Sequence, residues 1–219
     1  MITKNRATKL ISFTFGCIFL ALIGSAQTNE SPKKTYVRLG GGYAIPSPKN
    51  HEAGPFAGGQ ISINVSRNFV LEIGAFFVSS SPQGELNGLS KGKLYAYPLL
   101  LGLSYHFPVM RGVYLYLSGG GGYSFNRFTI DREIASFWKD YGFDLQEKIR
   151  NSALFYFGAG LEISLGSRLG LFADARYYLA KANGSWSFKD LESGTQMSGS
   201  LKNIKLDKIL LGAGLTFGF

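Results

Sequence analysis

Eight segments of the chain carry apolar side chains at every second residue, and in all eight the apolar series falls on odd residue numbers. They cover about residues 35–45, 56–66, 68–79, 94–107, 112–128, 152–165, 168–181 and 204–219. In the last one, Ile209, Leu211 and Leu215 alternate with Gly212 and Thr216. Successive side chains of a strand point to opposite faces, whereas a helix repeats every 3.6 residues. The pattern therefore predicts eight β-strands, each with one apolar face.

The connections between these segments alternate in length. Those after the second, fourth and sixth segments are tight, whereas the other four span roughly 10 to 23 residues. Outer-membrane barrels have an even number of antiparallel strands, short periplasmic turns and long extracellular loops. The sequence thus predicts an all-β fold, an eight-stranded antiparallel up-and-down transmembrane β-barrel with both termini in the periplasm.

Composition supports a surface that faces lipid. Charged residues make up 17% of the chain, against about 25% in a typical soluble domain. Aromatic residues should then gather at both membrane interfaces. Two groups fit these positions on the odd-numbered face: Tyr43, Phe77, Tyr95, Tyr97, Tyr123, Phe125, Phe155, Phe157 and Tyr177 near the long loops, and Phe69, Tyr105, Phe107, Phe217 and Phe219 near the short turns.

A soluble barrel of lipocalin type is the structural alternative, because it has the same alternation. Its apolar face points inward and its charged face outward. Two aromatic girdles, a charged series on the opposite face and an aromatic last residue favour the membrane barrel.

Residues 1–26 have the pattern of a secretory signal peptide. Lys4, Arg6 and Lys9 precede an apolar run of about 14 residues, and Gly24-Ser25-Ala26 offers a cleavage site. We expect a mature single domain over residues 27–219, exported to the outer membrane. Cleavage would remove Cys17, the only cysteine, and would lower the formal net charge from +9 to +6. This mild excess does not indicate a nucleic-acid binder, and it would suit the phosphates of lipopolysaccharide.

Three segments resemble a known family. The segment PLLLGLSYHFP at 98–108 is similar to the fourth strand of small outer-membrane β-barrel proteins, and VYLYLSGGGGY at 113–123 resembles their fifth. The ending LTFGF at 215–219 resembles the terminal-aromatic signal that the barrel-assembly machinery reads, which makes Phe217 and Phe219 the candidate assembly signal. The likeness covers essentially all of 35–219 and is nearest to the OmpW/OmpX-like "porin family" group. It implies fold and location, with passage or binding of small, hydrophobic solutes as an expectation.

The even-numbered series should face the lumen, where buried charges must be paired. Three acids and three bases balance there, and we expect them to form a lumen charge network: Arg38, Glu72, Glu162, Asp174, Arg176 and Lys208. Two roles remain open for this network, a structural salt-bridge cluster or a conduction or ligand path. Many inward glycines leave a second choice open, between spare lumen space and room for large rings such as Tyr116, Tyr156, Phe172 and Tyr178.

The third long loop contains a helical pattern. After Asp131, a candidate N-cap, Ile134, Phe137, Trp138 and Tyr141 recur at i, i+3, i+4 and i+7, and Gly142 ends the series. This amphipathic helix would act as a lid or a foot on the outer leaflet, or simply pack on the rim. Together with Trp186 of the fourth loop, its four apolar residues are the loop interaction candidates.

Catalysis is not indicated. His51 and His106 are the only histidines, and no carboxylate is identifiable beside His106 and Ser104 to complete a catalytic group. No metal-ligand spacing and no cofactor motif occur, so we expect a non-enzymatic protein without cofactor or metal. Two hypotheses follow: a narrow channel or binding site for small solutes, or a non-conducting structural or adhesin-like barrel that acts through its extracellular loops.

Overall fold

The computed structural model describes residues 35–47, 51–82 and 90–219. Eight antiparallel strands form a closed ring. In ring order they are β1 (Thr35–Pro46), β3 (Gly54–Asn64), β4 (Phe69–Pro82), β5 (Gly92–Met110), β6 (Val113–Ile130), β8 (Ser152–Ser164), β9 (Leu169–Asp190) and β11 (Lys208–Gly218). β11 pairs with β1, from Val37 opposite Phe217 to Pro46 opposite Lys208, which closes the ring. The predicted eight-stranded barrel is confirmed.

The predicted faces are also confirmed. Odd-numbered apolar residues lie on the outside, where Phe155 is 67% and Leu101 57% exposed. Even-numbered residues point inward, and Arg38, Glu72 and Tyr116 are each 1% exposed. The aromatic groups at both ends are in contact, as in Phe77 with Tyr97 at 5.5 Å and Phe69 with Tyr105 at 4.9 Å between ring centroids.

Strand structure continues beyond the ring at the long-loop end. The outer part of β9 pairs with β7 (Phe143–Ile149) on one side and with β10 (Gln196–Lys205) on the other. A short strand, β2 (His51–Glu52), pairs with the end of β4. We call β7, β10 and residues 181–190 of β9 the head sheet. Neither β7 nor β10 is predicted from the sequence, which treats both segments as loop.

The predicted last strand, residues 204–219, is wrong at its start, because the chain leaves one sheet and enters another at Leu206 and Asp207. Asp207 Oδ1 accepts the amide of Ala180 at 2.9 Å, and the Leu206 amide donates to the Ala180 carbonyl at 2.9 Å. At this point β9 exchanges β11 for β10 as its partner, so one alternating run supplies two strands.

The helix of the third long loop is confirmed as α1 (Arg132–Asp140). The Asp131 carboxylate accepts the Glu133 amide at 3.2 Å, which satisfies one of the free N–H groups at the helix start. Gly142 follows with φ +83°, a left-handed conformation that glycine adopts without strain. Among the described residues, no helix combines the length and apolar character needed to cross a membrane. The predicted signal peptide lies outside the described residues and stays a prediction.

The lumen changes in chemical character along its length. Its long-loop half is an apolar core to which the head sheet contributes Ile149, Leu201 and Ile204. Inward residues of the ring strands complete this core: Ala44, Phe56, Val78, Leu94, Ala96, Leu100, Phe128, Leu154, Ala180 and Leu210. Charged side chains are concentrated nearer the short turns.

Candidate functional site

Arg38 is the centre of the lumen charges. Its guanidinium contacts Glu72 on β4 at 3.4 Å and Glu162 on β8 at 2.5 Å. All three are inward, even-numbered residues of different strands, so the ion pairs cross the lumen instead of following one strand. A buried cation needs such partners because transfer of a charge out of water is costly.

Aromatic rings surround the same guanidinium. Its carbon lies 4.3 Å from the centroid of the Tyr116 ring, 5.1 Å from Tyr36 and 5.6 Å from Phe172. Tyr116 stands on β6, four strands from β1 in either direction around the ring. Cation–π contacts of this length are favourable at a buried site. Arg38 and Tyr116 together span the lumen from one wall to the other.

A second ion pair lies on β9. Arg176 Nη2 and Nε contact Asp174 Oδ2 at 2.8 and 2.9 Å. Tyr116 donates to the same Asp174 oxygen at 3.2 Å, which links this pair to the Arg38 group. Tyr156 donates to Glu72 Oε2 at 3.4 Å, and the Arg176 guanidinium lies 5.9 Å from the Tyr156 ring. Five of the six predicted network residues are therefore brought together, with tyrosines as connectors.

Lys208, the sixth predicted member, lies elsewhere. In the strand register, Lys208 of β11 lies opposite Tyr178 of β9. Tyr178 is two positions nearer the long-loop end of the barrel than Arg176, which lies opposite Leu210. Lys208 is 6% exposed, and its side chain forms no ion pair or hydrogen bond with a described residue. Its placement in the charge network was wrong, because the sequence pattern gives the face of a residue but not its level along the barrel.

Inward glycines make room for the rings. A Cβ on Gly160 would collide with the Tyr116 ring, and one on Gly102 with the Tyr156 hydroxyl. A Cβ on Gly74 would lie 2.8 Å from the Phe76 ring and one on Gly40 2.7 Å from Phe172. Real Cβ atoms do not approach so closely. The space that a Cβ would take at each of these glycines is therefore already occupied by an aromatic side chain. Of the two readings of the glycine-rich face, the structure favours room for large rings.

Little space remains between these side chains. A cavity beside Arg38, Phe76, Phe172 and Arg176 has an empty volume of about 350 Å³, of which only a small part is wide enough for water. Nε of Arg38 and Nη1 of Arg176 have no hydrogen-bond partner among the described residues, which suits water in this cavity.

His106 and Ser104 are in contact near the short-turn end. His106 Nε2 lies 3.1 Å from Ser104 Oγ and 3.3 Å from the Tyr36 hydroxyl, and its ring stacks on Tyr116 at 5.2 Å. Among the described residues, no carboxylate binds the other ring nitrogen, and no cluster of three histidine, cysteine or acidic residues could hold a metal ion. The two side chains thus form one contact group with Tyr36 and Tyr116.

The loop candidates divide into a half-buried and an exposed group. Trp138 packs edge-on against Phe188 of β9 at 4.9 Å, and Trp186 lies against Gly199 and the apolar core. Ile134 is half-buried. By contrast, Phe137 is 53% and Tyr141 66% exposed, with ring centroids 4.8 Å apart. The exposed pair is the more accessible to a partner, whereas the ring contacts of Trp138 and Trp186 hold the helix and the head sheet in place.

Glu147 on β7 joins two loops, and the sequence analysis missed it. It is 8% exposed, and its carboxylate accepts the Ser90 amide at 3.0 Å and the Ser90 hydroxyl at 2.8 Å. Ser90 lies just before β5, so the contact ties the second long loop to the head sheet. A short Leu-Gln-Glu-Lys-Ile run gives no sequence signal for such a contact.

The head sheet ends in a tight turn after β9. The Asp190 carboxylate accepts amides of Ser193 and Glu192 at 3.1 and 2.8 Å. Hydrogen bonds from Ser193, and then from Glu192, hold the pKa of this exposed carboxyl below its usual range. Gly194 follows with φ +71°, which completes the turn toward β10.

Comparisons with known proteins agree with this geometry. A family model described as "Outer membrane protein beta-barrel domain" matches residues 15–217. The solved structure of outer membrane protein OprG from Pseudomonas aeruginosa is 14% identical, with a TM-score of 0.56 over 85% of this chain and 98% of that one. Outer membrane protein AlkL in lipid bilayers is 16% identical, with a TM-score of 0.52 over 89% and 94%. No curated protein matches in sequence.

Proposed function

The chain belongs to the outer membrane protein β-barrel domain family, and on that premise we propose that it is a closed barrel that presents a rigid binding surface outside the cell. It is an outer-membrane protein whose odd-numbered face contacts lipid and whose long loops are extracellular. The observation that carries the proposal is the filled lumen. A structural or adhesin-like barrel needs only its loops, whereas a passage needs continuous space.

The filling has two layers of different chemistry. Nearer the periplasm, Arg38 and Tyr116 cross the lumen within a set of charge-assisted contacts. Nearer the outside, apolar side chains of the ring and the head sheet pack together. An ion would have to displace the first layer and then enter the second without water, which costs far more than thermal energy.

The extracellular surface offers an apolar patch in place of a pore. Phe137 of α1 and Tyr141 just after it are more than half exposed. Nearby, Leu191 in the turn after β9 is 49% exposed and Met197 of the head sheet is 64% exposed. Exposed apolar groups of this kind on a rigid support are typical of protein interaction sites. We propose that protein surfaces outside the cell bind there.

A narrow channel or binding site for small, hydrophobic solutes is the second candidate. The buried charges favour this second candidate. A buried ion pair often adds little stability, and some buried ion pairs serve as conformational switches instead. Conduction would then require Arg38 to leave Glu162, together with a displacement of the head sheet.

Single-channel recording separates the two functions. We expect the protein purified from outer membranes to give no conductance steps in planar bilayers, while its heat-modifiable mobility on gels shows that it is folded. Discrete, reproducible steps would overturn the closed barrel and support the solute passage.

A cell assay tests the surface function directly. Cells without other adhesins should attach to protein-coated surfaces more strongly when they express the protein. Phe137→Ser with Tyr141→Ser should abolish the gain, whereas Glu133→Gln on the same helix should keep it. Equal attachment of the double variant, at equal surface level, would exclude this patch.

A further inference from the structure

Lys208 occupies an unusual position for a lysine. Its side chain is buried at the extracellular end of the lumen, and no described carboxylate pairs with it. The neighbouring acid, Asp207, is engaged with the Ala180 amide. Burial of an ammonium group without a counter-charge is strongly unfavourable. Among the described residues the ammonium group therefore has no counter-charge, and its position favours a bound anion beside it.

A cavity lies beside this lysine. Its empty volume is about 300 Å³, and Lys208, Tyr178, Ser152 and Asn126 line it together with apolar side chains. The open space accommodates a body about the size of one water molecule. An organic anion does not fit this space, whereas a monatomic ion does.

The polar groups of the cavity are mainly donors. Tyr178 is 2% exposed, and its hydroxyl has no hydrogen-bond partner among the described residues. Asn126 Nδ2 donates to Ser152 Oγ at 3.3 Å, which leaves the Ser152 hydroxyl hydrogen free to donate. The Ser124 hydroxyl donates to Asn126 Oδ1 at 2.8 Å and so occupies that acceptor. A cation and two hydroxyl donors thus surround one small space.

The cavity beside Arg38 and Arg176 differs, because both guanidinium groups already have carboxylate partners. Arg38 pairs with Glu72 and Glu162, and Arg176 pairs with Asp174, so water suits this cavity better than an anion. Unlike the cavity beside Arg38, the Lys208 cavity combines a cation that has no described counter-charge with free hydroxyl donors. From this arrangement we infer that Lys208, Tyr178 and Ser152 form a binding site for a single halide ion, chloride under physiological conditions.

Halide anomalous diffraction gives the direct test. Crystals of the protein purified from outer membranes and soaked in bromide should show an anomalous peak between Lys208 Nζ and the Tyr178 hydroxyl. Lys208→Met keeps the length of the side chain without its charge and should remove the peak. Lys205→Met, an exposed lysine of β10, is the matched control and should keep it. A wild-type cavity with water or no density would overturn the site.

A solution measurement covers the case in which crystals do not form. When chloride replaces sulfate at constant ionic strength, the unfolding temperature of the wild-type protein should rise relative to that of Lys208→Met, because the general salt effect is common to both and an ion that binds only the folded state stabilises it. Lys208→Met should weaken apparent chloride affinity by about ten-fold or more, and Tyr178→Phe should weaken it less. The same chloride dependence in Lys208→Met and wild type would refute the proposal.

Discussion

Arg38 and Glu162 meet across the barrel lumen although 124 residues separate them in the chain. Arg38 stands on the first strand of the ring, and Glu162 lies three strands away through the barrel closure. The contact therefore exists only when the ring is complete. It makes the charge cluster dependent on correct closure between β1 and β11.

Glu162→Gln should destabilise the barrel. The change leaves Arg38, which is 1% exposed, with Glu72 as its remaining acid at 3.4 Å. We expect the free energy of unfolding to fall by about 1–3 kcal/mol, the usual cost when a buried charged hydrogen bond is weakened. Urea unfolding in phospholipid vesicles, followed by circular dichroism, measures it. Glu133→Gln on the exposed face of α1 is the control, and an equal effect of both changes would contradict the central role of Arg38.

Gly160→Ala should be far more harmful than Gly119→Ala. The first adds a methyl group where the Tyr116 ring lies, and 2.8 Å from the Ala173 carbonyl oxygen. The second adds one on the lipid face, where the nearest atom is 3.5 Å away. Overpacking costs about 1–3 kcal/mol, whereas a tolerated surface change stays within about 0.5 kcal/mol. Unfolding midpoints in urea decide the comparison, and similar midpoints would mean that the ring of Tyr116 moves freely.

Glu147→Ala should loosen the contact between the second long loop and the head sheet. The Ser90 amide loses its acceptor, so its hydrogen exchange should become faster by about ten-fold or more. Gln146→Ala, on the same strand with an exposed side chain, should leave that rate unchanged. Unchanged exchange at Ser90 in Glu147→Ala would show that other contacts hold the loop.

Phe219→Ser should affect assembly without affecting stability. The Phe219 side chain is 80% exposed, and only its backbone amide contributes to the fold, through a 3.0 Å bond to the Thr35 carbonyl. If the barrel-assembly machinery reads Phe217 and Phe219, cells should accumulate less of the variant in the outer membrane. Refolded in vitro, it should unfold at the wild-type midpoint. Leu165→Ala, also exposed near the periplasmic end, is the control and should assemble normally. If Phe219→Ser reaches the wild-type level in the outer membrane, Phe219 is not part of the assembly signal.

The face of each residue could be predicted from sequence, because alternation is a local property that one strand shows by itself. The same alternation could not give the level of Lys208 along the barrel, since register depends on which strands pair. Leu154 and Phe128 are inward yet apolar, and nothing in a single strand distinguishes a lipid-facing leucine from one in a lumen core. The head sheet was missed because β7 is short and includes Glu147, whose partner Ser90 is 57 positions away.

The length of β9 has a practical consequence for work at the cell surface. Residues 181–190 continue the strand past the ring, and at about 3.3 Å per residue they extend the chain by up to about 33 Å. The turn at Gly194, where an added Cβ would meet nothing within 4 Å, stands at the far end of this extension. A foreign epitope inserted there would be carried on a stiff support, clear of the sugars nearest the bilayer, and open to antibodies on living cells.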